Sequence, residues 1–325
     1  MKSIGVIGFG SISKRHRANL KLLFPDSQVI GVSSSGRIPE EKISDCDRIV
    51  DGITGLIAEQ VDFAIVASPA SFHVEHSIPL IQSGIPVLIE KPVAVSTSDV
   101  GNLVAAVKGV KAQVAVGYCL RYLPSAGIVK ELLREGKIGT IYHASVEVGQ
   151  YLPDWRSNKD HRKSVSANRK LGGGALLELS HEIDYARWLF GELNVRASIL
   201  RSSDTLKLEV EDSVDLLATS QNGAVISIHL DLLQRAAFRK CRISGSEGAL
   251  EWDLINNSIT LIKGNGVESI YAELDWDKNG MYLEMIRDFI RYTEGEQNQC
   301  IKLEDAVGTL SVIEQVRELS LVGTK

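Results

Sequence analysis

The chain has 325 residues, of which 44% are hydrophobic and 24% charged. These values are typical of a globular protein, and the length favours two domains over one core. The formal net charge of -5 at pH 7 excludes a basic field for a phosphate backbone, so we expect no nucleic-acid partner.

The first residues and the cysteines indicate the cellular compartment that we expect for the protein. The chain passes from Met1-Lys2-Ser3 directly into a short apolar run, without the features of a secretory signal or a membrane-spanning helix. The cysteines are far apart and form no CxxC pair, which favours reduced thiols over disulfides or a metal site. We therefore expect a cytoplasmic protein that has no metal centre and does not bind membranes.

The first part of the chain alternates apolar runs with helical segments. Strands are predicted at 3–7, 28–32, 62–67, 86–89 and 113–118. Helices are predicted at 13–24, 54–60, 71–83 and 96–108. The strands show no clear polar alternation, as expected when both faces are covered. Strand-helix-strand repetition predicts a doubly wound parallel α/β sheet in a domain over residues 1–120.

The pattern changes after residue 120. Helices are predicted at 125–135, from the end of the glycine triplet 172–174 to about 190, at 280–292 and at 303–322. Strands are predicted at 140–148, 195–201, 213–219, 224–230, 238–245, 249–254 and 258–262. Period-two alternation around Ser227 and His229 indicates a mostly antiparallel sheet with one open face. We predict an α+β domain over 121–302, with the apolar stripe of the 303–322 helix packed back on the first domain.

A glycine turn follows the first strand and leads into the first helix. Gly8 permits a tight turn, Gly10 permits close approach of a pyrophosphate, and Ser11 and Ile12 begin a helix whose N-terminus favours an anion. The third glycine of the usual fingerprint is replaced by Ser13. The turn predicts a dinucleotide site, although glycines at such turns also occur without a ligand.

The residues after the second strand indicate whether NAD(H) or NADP(H) is favoured. They include Ser33, Ser34 and Arg37 and no carboxylate that would bind the 2′-hydroxyl of NAD. Small hydroxyls with an arginine suit a 2′-phosphate, so NADP(H) is favoured and NAD(H) remains possible. The alternative is a polar turn with a solvated arginine.

Two further clusters carry candidate chemistry. Lys91 follows a buried strand at the carboxyl edge of the sheet, where it can donate a hydrogen bond to a reacting oxygen or cap a turn. Glu178, His181 and Asp184 have the spacing of one helix face, which would place carboxylates on either side of an imidazole. The alternative is a helix start with solvated polar pairs.

The polar stretch before the three glycines is cationic. It contains Trp155 and Arg156 and several further lysines and arginines up to residue 170. This loop could hold a phosphate or carboxylate of a nucleotide sugar, so Trp155 and Arg156 are candidate substrate residues. A solvated loop is the alternative.

Five short motifs follow one another along the chain. They are Gly8-x-Gly10 with His16, Ala67-Ser68-Pro69-x-x-x-His73, Glu90-Lys91-Pro92, Arg121-Tyr122-x-Pro124, and Gly172-Gly173-Gly174 followed by His181-x-x-Asp184. In this order they resemble the Gfo/Idh/MocA oxidoreductases, which include glucose-fructose oxidoreductase, inositol dehydrogenase and nucleotide-sugar dehydrogenases.

The resemblance implies a Rossmann domain and an open-faced sheet that often forms the oligomer interface, here of a homodimer or homotetramer. It implies hydride transfer between a nicotinamide and a hydroxyl- or carbonyl-bearing carbon of a sugar, nucleotide sugar or polyol. Lys91 would hydrogen-bond the reacting oxygen. His181 would be the general base in oxidation or the acid in reduction, and Asp184 would orient His181 or the substrate.

Other roles also come from the resemblance. Ser68 and Pro69 would line the nicotinamide pocket, and Arg121 and Tyr122 would face the substrate. We also count His73 and Glu90 among the cofactor-binding candidates. Many family members carry an aspartate four residues before the histidine, whereas Glu178 precedes His181 by three and is a candidate substrate residue.

Two other functions fit the same motifs. A cofactor-binding regulator would use the fold without catalysis, but it would be expected to lose Lys91 or His181. A glycoside hydrolase would use bound NAD in a transient oxidation and elimination.

Overall fold

The computed structural model describes residues 1–40, 42–156 and 160–322. The chain forms two compact units. The first contains residues 1–118 and 282–310, and the second contains residues 119–281 and the chain from 311 onward.

The first stretch of the chain contains alternating strands and helices. In chain order they are β1 (Ser3–Ile7), α1 (Ser11–Leu23), β2 (Gln28–Val32), β3 (Arg48–Val50), α2 (Gly52–Ala58), β4 (Phe63–Val66), α3 (His73–Gln82), β5 (Val87–Glu90), α4 (Thr97–Val107) and β6 (Val114–Gly117).

The remaining elements are longer strands and further helices. They are α5 (Pro124–Arg134), β7 (Ile141–Gly149), α6 (Ala175–Glu178), α7 (His181–Phe190), β8 (Leu193–Arg201), β9 (Ser213–Ser220), β10 (Val225–Asp231), β11 (Phe238–Gly245), β12 (Gly248–Asp253), β13 (Ser258–Lys263), β14 (Gly266–Ala272), α8 (Gly280–Thr293), α9 (Leu303–Leu319) and β15 (Ser320–Val322).

The sheet of the first unit has the order β3-β2-β1-β4-β5-β6, and its strands pair in parallel. Strand β4 is buried along its whole length, as are the last four residues of β1. This burial confirms the predicted doubly wound sheet, because continuous apolar strands require cover on both faces. Strand β3 was not predicted, since three residues are too short to show a period.

The first unit also takes in a later part of the chain. Phe289 of α8 packs edge-on against Phe63 of β4, with ring centroids 5.7 Å apart. The N–H of Val116 in β6 donates to the carbonyl of Ile301 at 2.8 Å. Residues 282–302, which the sequence analysis assigns to the second domain, therefore lie in the first unit.

The second unit is built on a mixed sheet. Within the described residues its nine strands have the order β14-β13-β12-β11-β7-β10-β9-β8-β15. Most neighbours are antiparallel, but β7 with β10 and β8 with β15 are parallel pairs. The predicted mostly antiparallel sheet is confirmed, with β14 and β15 added to it.

The two faces of this sheet differ. Helices α6 and α7 pack on strands β7, β9 and β10, and α5 contacts β13. Ile226, Ile228 and Leu230 of β10 are buried, whereas Ser227 and His229 are only partly buried. One face therefore carries the core of the unit and the other, which we call the open face, is without a covering helix among the described residues.

The last helix, α9, belongs to both units. Its residues up to Leu310 lie in the first unit and those from Ser311 lie in the second. In the second unit, the hydroxyl of Ser198 in β8 donates to the Val316 carbonyl at 2.7 Å. The prediction that this whole helix packs on the first domain is corrected at Ile313 and Val316. Within the described residues, no helix is long and apolar enough to cross a membrane.

Candidate functional site

The carboxyl ends of the parallel strands place several predicted residues at one edge of the first unit. Gly8 follows β1, Ser33 follows β2, Ser68 lies just after β4, and Lys91 follows β5. Ligands of open α/β sheets bind at this edge, because the loops after parallel strands meet there.

The glycine turn after β1 has the shape of an anion-binding cradle. Gly8 has φ +104°, and a Cβ there would lie 2.6 Å from the Ala67 carbonyl oxygen. Gly10 is the N-cap of α1, and no described atom lies within 4 Å of the Cβ position on it. Only glycine fits at the first position, and an approaching group finds open space at the second.

The start of α1 also suits an anion. Its first turn, which is described in full, holds no acidic residue, so Ser11 and Ile12 begin a helix with an uncompensated positive end. Ser13 is fully buried and its hydroxyl donates to the Gly10 carbonyl at 2.9 Å. A small residue whose polar group is paired inside the turn therefore stands in the place of the third glycine. The residues present fit a dinucleotide pyrophosphate.

The loop after β2 is polar and exposed at its tip. The Ser33 and Ser35 hydroxyls lie 3.4 Å apart. Arg37 is exposed and forms no ion pair with any described residue. Ser34 lies between them and is partly buried. This loop offers hydroxyls and one cation and no carboxylate.

His73 connects two loops of the sheet edge. It is buried, its Nδ1 lies 2.8 Å from the Pro92 carbonyl oxygen, and its Nε2 lies 2.8 Å from the Ser68 carbonyl oxygen. Burial lowers the pKa of His73. The ring therefore connects the loop of Ser68 and Pro69 to the loop of Lys91.

Glu90 also forms its contacts inside the first unit. Its Oε1 lies 2.6 Å from Nε2 of His16, and its Oε2 accepts the backbone N–H of Lys91 at 3.2 Å. Burial raises the pKa of the Glu90 carboxyl, but the hydrogen bond and charge of His16 and the charge of Lys91 bring it below its usual value. Glu90 is thus a buried carboxylate behind Lys91, which is itself partly exposed.

In the second unit, the predicted single helix from the glycines to Phe190 is wrong. Helix α6 ends at Glu178, Leu179 has φ −102° and ψ 25°, and α7 begins at His181. Glu178 therefore does not share a helix face with His181. Asp184 does, because it lies three residues further along α7.

The glycines before α6 are packed against the chain itself. A Cβ on Gly173 would lie 2.5 Å from the carbonyl oxygens of Val165 and Ser166. Gly174 has φ +111°, and a Cβ there would lie 2.3 Å from Oε1 of Glu211. Protein atoms therefore occupy the space beside Gly173 and Gly174.

Glu211 was not singled out from the sequence. Its Oε1 accepts the backbone N–H of Leu176 at 3.2 Å, close to the start of α6. Burial raises the pKa of its carboxyl. No local pattern marks this residue, because its partners lie about 35 positions earlier in the chain.

Asp184 and Arg121 form a buried bidentate ion pair. Nε of Arg121 donates to Oδ2 at 2.8 Å and Nη2 donates to Oδ1 at 2.6 Å. The guanidinium also lies over the ring of Trp188, 5.7 Å from its centroid. Each oxygen of Asp184 thus accepts a hydrogen bond from Arg121. The resemblance implies contacts with His181 or the substrate for Asp184 and with the substrate for Arg121, and this ion pair joins the two residues to each other. The neighbouring Tyr122 is buried too.

A second ion pair lies on the same helix. Nε of Arg239 in β11 donates to Oε1 of Glu182 at 2.7 Å, and Nη2 donates to Oε2 at 3.0 Å. His181 precedes Glu182 at the start of α7 and is itself mostly buried. The two pairs fix α7 from both sides of His181, since buried bidentate pairs have a defined geometry.

The predicted cationic loop lines a cavity of about 410 Å³. Trp155 lies at its wall with 38% of its surface exposed. Lys163 also lines it and forms no ion pair with any described residue, whereas Asp160 is held by Arg162 at 2.9 Å. The side chain of Arg156 and residues 157–159 lie outside the described part of the chain.

The comparisons with known proteins decide the family. The family model described as the oxidoreductase family, NAD-binding Rossmann fold, matches residues 2–118, and the model of the GFO/IDH/MocA C-terminal domain matches residues 128–251. The chain belongs to the GFO/IDH/MocA family. This confirms the resemblance drawn from the five motifs.

Individual GFO/IDH/MocA relatives are distant in sequence. The rhizopine catabolism protein MocA of Rhizobium meliloti is 27% identical over 171 residues, which are 51% of each chain. Inositol 2-dehydrogenase 2 of Saccharopolyspora erythraea is 27% identical over 235 residues, 70% of this chain and 66% of that protein. The chain thus spans about half to two thirds of the length of these relatives.

The chain is also similar to a solved structure over almost its whole length. Levoglucosan dehydrogenase in complex with NADH and levoglucosan superposes with a TM-score of 0.85 at 19% identity. The match covers 98% of this chain and 96% of that one. At this identity the likeness concerns the GFO/IDH/MocA fold alone.

Proposed function

We propose that this protein transfers hydride between a nicotinamide and a hydroxyl- or carbonyl-bearing carbon of a sugar, nucleotide sugar or polyol. The observation that carries the proposal is the turn of Gly8 and Gly10, which leaves open space before an α1 N-terminus free of acidic residues. The GFO/IDH/MocA membership supports it, and the names of relatives that act on inositol or bind levoglucosan support a polyhydroxylated ring as substrate.

The dinucleotide, when bound, supplies the carbon that accepts or gives the hydride. Lys91 donates a hydrogen bond from its ammonium group to the reacting oxygen, which stabilises negative charge on that oxygen as the proton leaves. His181 takes the hydroxyl proton on a ring nitrogen in oxidation and returns it in reduction. The two residues thus form the proposed acid/base pair.

Asp184 acts in this scheme through Arg121. Its bidentate pair with Arg121 fixes the first turn of α7, where His181 lies, and Asp184 is proposed to orient His181 or the substrate from that position. Glu178 lies on the separate helix α6 and remains a candidate for substrate contact only.

The proposed cofactor is NADP(H), with NAD(H) as the alternative. The hydroxyls of Ser33 and Ser34 and the guanidinium of Arg37 suit a 2′-phosphate, because charge-assisted hydrogen bonds to phosphate are the strong ones. The levoglucosan dehydrogenase structure contains NADH, so the choice needs a direct test. Arg37→Ala should weaken NADPH binding at least ~10-fold and leave NADH binding unchanged. Equal affinities of the wild type and the variant for NADPH would favour NAD(H).

The loop of Trp155 and Arg156 is proposed to recognise the distal part of the substrate. The exposed face of Trp155 can stack on a sugar ring, and Lys163 in the same cavity can pair with a phosphate or carboxylate on it. A sugar phosphate or nucleotide sugar would contact both Trp155 and Lys163, whereas a neutral polyol would contact only Trp155.

The direct test is turnover with a panel of polyols, sugars, sugar phosphates and nucleotide sugars, followed by the absorbance of reduced nicotinamide. Lys91→Ala and His181→Ala should each lower kcat at least ~100-fold while dinucleotide affinity stays within ~2-fold. Lys108→Ala is the matched control, because Lys108 is an exposed lysine at the end of α4.

The outcomes separate the alternatives. Turnover that survives both substitutions would refute the acid/base assignment. Dinucleotide binding without turnover on any panel member would favour a regulator. Glycoside cleavage without net change in reduced nicotinamide would favour the NAD-dependent hydrolase.

The open face of the second unit is proposed to join copies of the chain into a homodimer or homotetramer. Ile199 of β8 and Leu217 of β9 are each 42% exposed on it. Apolar side chains on a broad strand surface without a covering helix are typical of protein interfaces.

A further inference from the structure

The pair of His16 and Glu90 is not used by the proposed reaction. The two residues are 74 positions apart, on α1 and at the end of β5, and Nε2 lies 2.6 Å from Oε1. His16 is fully buried and Glu90 nearly so. A contact of this kind inside a protein costs desolvation of both groups, and an apolar pair of similar volume often stabilises a fold as well or better.

His16 is also incompletely satisfied. Its Nδ1 is buried and has no hydrogen-bond partner among the described residues. A buried polar atom left in this state is destabilising. His16 also lies near the ring of Tyr282, at 6.3 Å between centroids. Stability alone therefore does not account for a histidine here.

The second carboxylate oxygen of Glu90 contacts Lys91. This oxygen, Oε2, accepts the Lys91 N–H at 3.2 Å, so one carboxylate joins the imidazole to the lysine backbone. Gly117 of β6 lies against the same group, since a Cβ on it would come within 3.3 Å of Oε1. The carboxylate is thus held by His16 and the Lys91 N–H, and Gly117 leaves room for it.

We propose that His16 is a positioning residue for Lys91, because it holds the Glu90 carboxylate that fixes the lysine backbone and supplies a negative charge beside its side chain. The inference rests on the proposed function, in which Lys91 contacts the reacting oxygen. The competing explanation is that His16 and Glu90 only attach α1 to the sheet.

The charged and titratable groups around the carboxylate define the electrostatic effect. Glu90 faces His16 from α1, His73 from α3 and the neighbouring Lys91. Behind His16 stands Tyr282, whose ring also carries the guanidinium of Arg15 at 4.5 Å from its centroid. Loss of the His16 contact would leave the carboxylate without one of the groups that hold it, so the position of Lys91 should change.

The test compares three variants with the wild type. His16→Leu keeps the approximate volume but removes the donor, Glu90→Gln removes the charge, and His16→Gln can place an amide N–H near the position of Nε2. The first readout is the rate of Lys91 acetylation by acetic anhydride at one fixed pH in the protein without dinucleotide, measured by peptide mass spectrometry. Lys108 in the same samples is the internal control.

We expect the ratio of the Lys91 to the Lys108 acetylation rate to change at least ~2-fold in His16→Leu and Glu90→Gln and to stay near the wild-type value in His16→Gln, because the lost hydrogen bond no longer fixes Lys91. With a substrate from the panel, kcat should fall at least ~10-fold in His16→Leu with KM for dinucleotide within ~2-fold, and His16→Gln should restore most of it.

Unchanged acetylation ratios of Lys91 to Lys108 in His16→Leu and Glu90→Gln, in samples that remain folded by circular dichroism, would overturn the inference. A loss of kcat that follows thermal stability alone across the three variants would also overturn it. Failure of the proposed function gives a different result, namely undiminished turnover in Lys91→Ala, while the acetylation ratios still report whether His16 acts on Lys91.

Discussion

Gly174 and Gly101 differ in backbone conformation and in the space around their Cβ positions. Gly174 precedes α6 with φ +111°, and the Cβ position on it is filled by the Glu211 carboxylate. Gly101 lies inside α4, and no described atom comes within 4 Å of its Cβ position. Sequence alone predicts an important role for the glycine triplet, but it does not distinguish a ligand from a buried carboxylate as the reason.

Gly174→Ala should therefore lower the free energy of unfolding by at least ~2 kcal/mol, because the side chain meets both an unfavourable φ and an occupied space. Gly101→Ala is the matched control and should raise it by up to ~1 kcal/mol, since alanine favours a helix. Urea unfolding of both variants measures the two values. Equal effects of the two substitutions would contradict the packing described for Gly174.

The pair of Arg121 and Asp184 makes a second prediction at this scale. Asp184→Asn leaves a buried guanidinium without its charge partner and should destabilise the protein by ~3–5 kcal/mol. The double variant Arg121→Met with Asp184→Leu should lose less stability than Asp184→Asn, because neither charge remains buried. Denaturant unfolding checks both, and a double variant less stable than Asp184→Asn would speak against the ion-pair explanation.

The same contacts show what sequence reasoning can reach at single residues. Gly8, Gly10 and Ser13 are readable, since a turn and the helix that follows it are local in the chain. The pairing of His16 with Glu90, and of Glu182 with Arg239, depends on residues 74 and 57 positions apart. No local pattern predicts such partners, and for that reason Glu90 was assigned to the cofactor and Glu211 was missed.

Among the elements, most segments with a clear hydrophobic pattern were predicted, and those missed lack such a pattern. Strands such as β10 show clear alternation, and their bounds agree with the prediction within a residue. Strand β3 has three residues, and β14 is mostly exposed, so neither offers a hydrophobic period. The break between α6 and α7 was missed because residues on both sides of it are buried and contain no glycine or proline.

The open face of β9 and β10 carries a histidine between two carboxylates. His229 lies 2.7 Å from Asp215 through Nδ1 and 3.0 Å from Asp231 through Nε2. Arg201 lies near the same Asp215 at 3.7 Å. The hydrogen bond to Asp231, opposed by burial and supported by Asp215, raises the pKa of His229 to about 9 from an ordinary 6.5.

Because the folded-state pKa is raised, this cluster stabilises the protein fully below pH 6.5 and loses its contribution as the pH rises toward 9. Near pH 6 the free energy of unfolding of the wild type should exceed that of His229→Gln by ~1 kcal/mol, a value that allows for the partial exposure of His229. The difference should vanish above pH ~9.5. Urea unfolding of both proteins across this range gives the difference, and a pH-independent value would refute the charged pair.

For the whole molecule, the fold class and family were predictable and the division of the chain was only partly so. Five motifs in order identify the family, since each marks a different loop of one architecture. The terminal elements α8 and α9 carry no such motif, and their place depends on long-range contacts such as that of Phe63 with Phe289. The sequence analysis therefore placed residues 282–302 in the wrong unit.

The proposed oligomer is tested by a charge on the open face. Leu217→Glu should convert a dimer or tetramer into monomers, because it places a carboxylate among the apolar residues proposed to be buried between copies. Val267→Glu is the matched control, since Val267 lies on the edge strand β14 and is 71% exposed. Light scattering after size exclusion gives the masses, and a monomeric wild type would contradict the proposal.

The central claim is that a dinucleotide binds at the turn of Gly8 and Gly10, and Gly10→Ala tests it most directly. An added Cβ meets no described protein atom, so the thermal unfolding midpoint should not fall, as for the control Gly127→Ala. The added methyl would occupy the space required by the pyrophosphate, so titration with NADPH and NADH should show binding weakened at least ~10-fold. Unchanged affinity for both dinucleotides in folded Gly10→Ala would contradict the account.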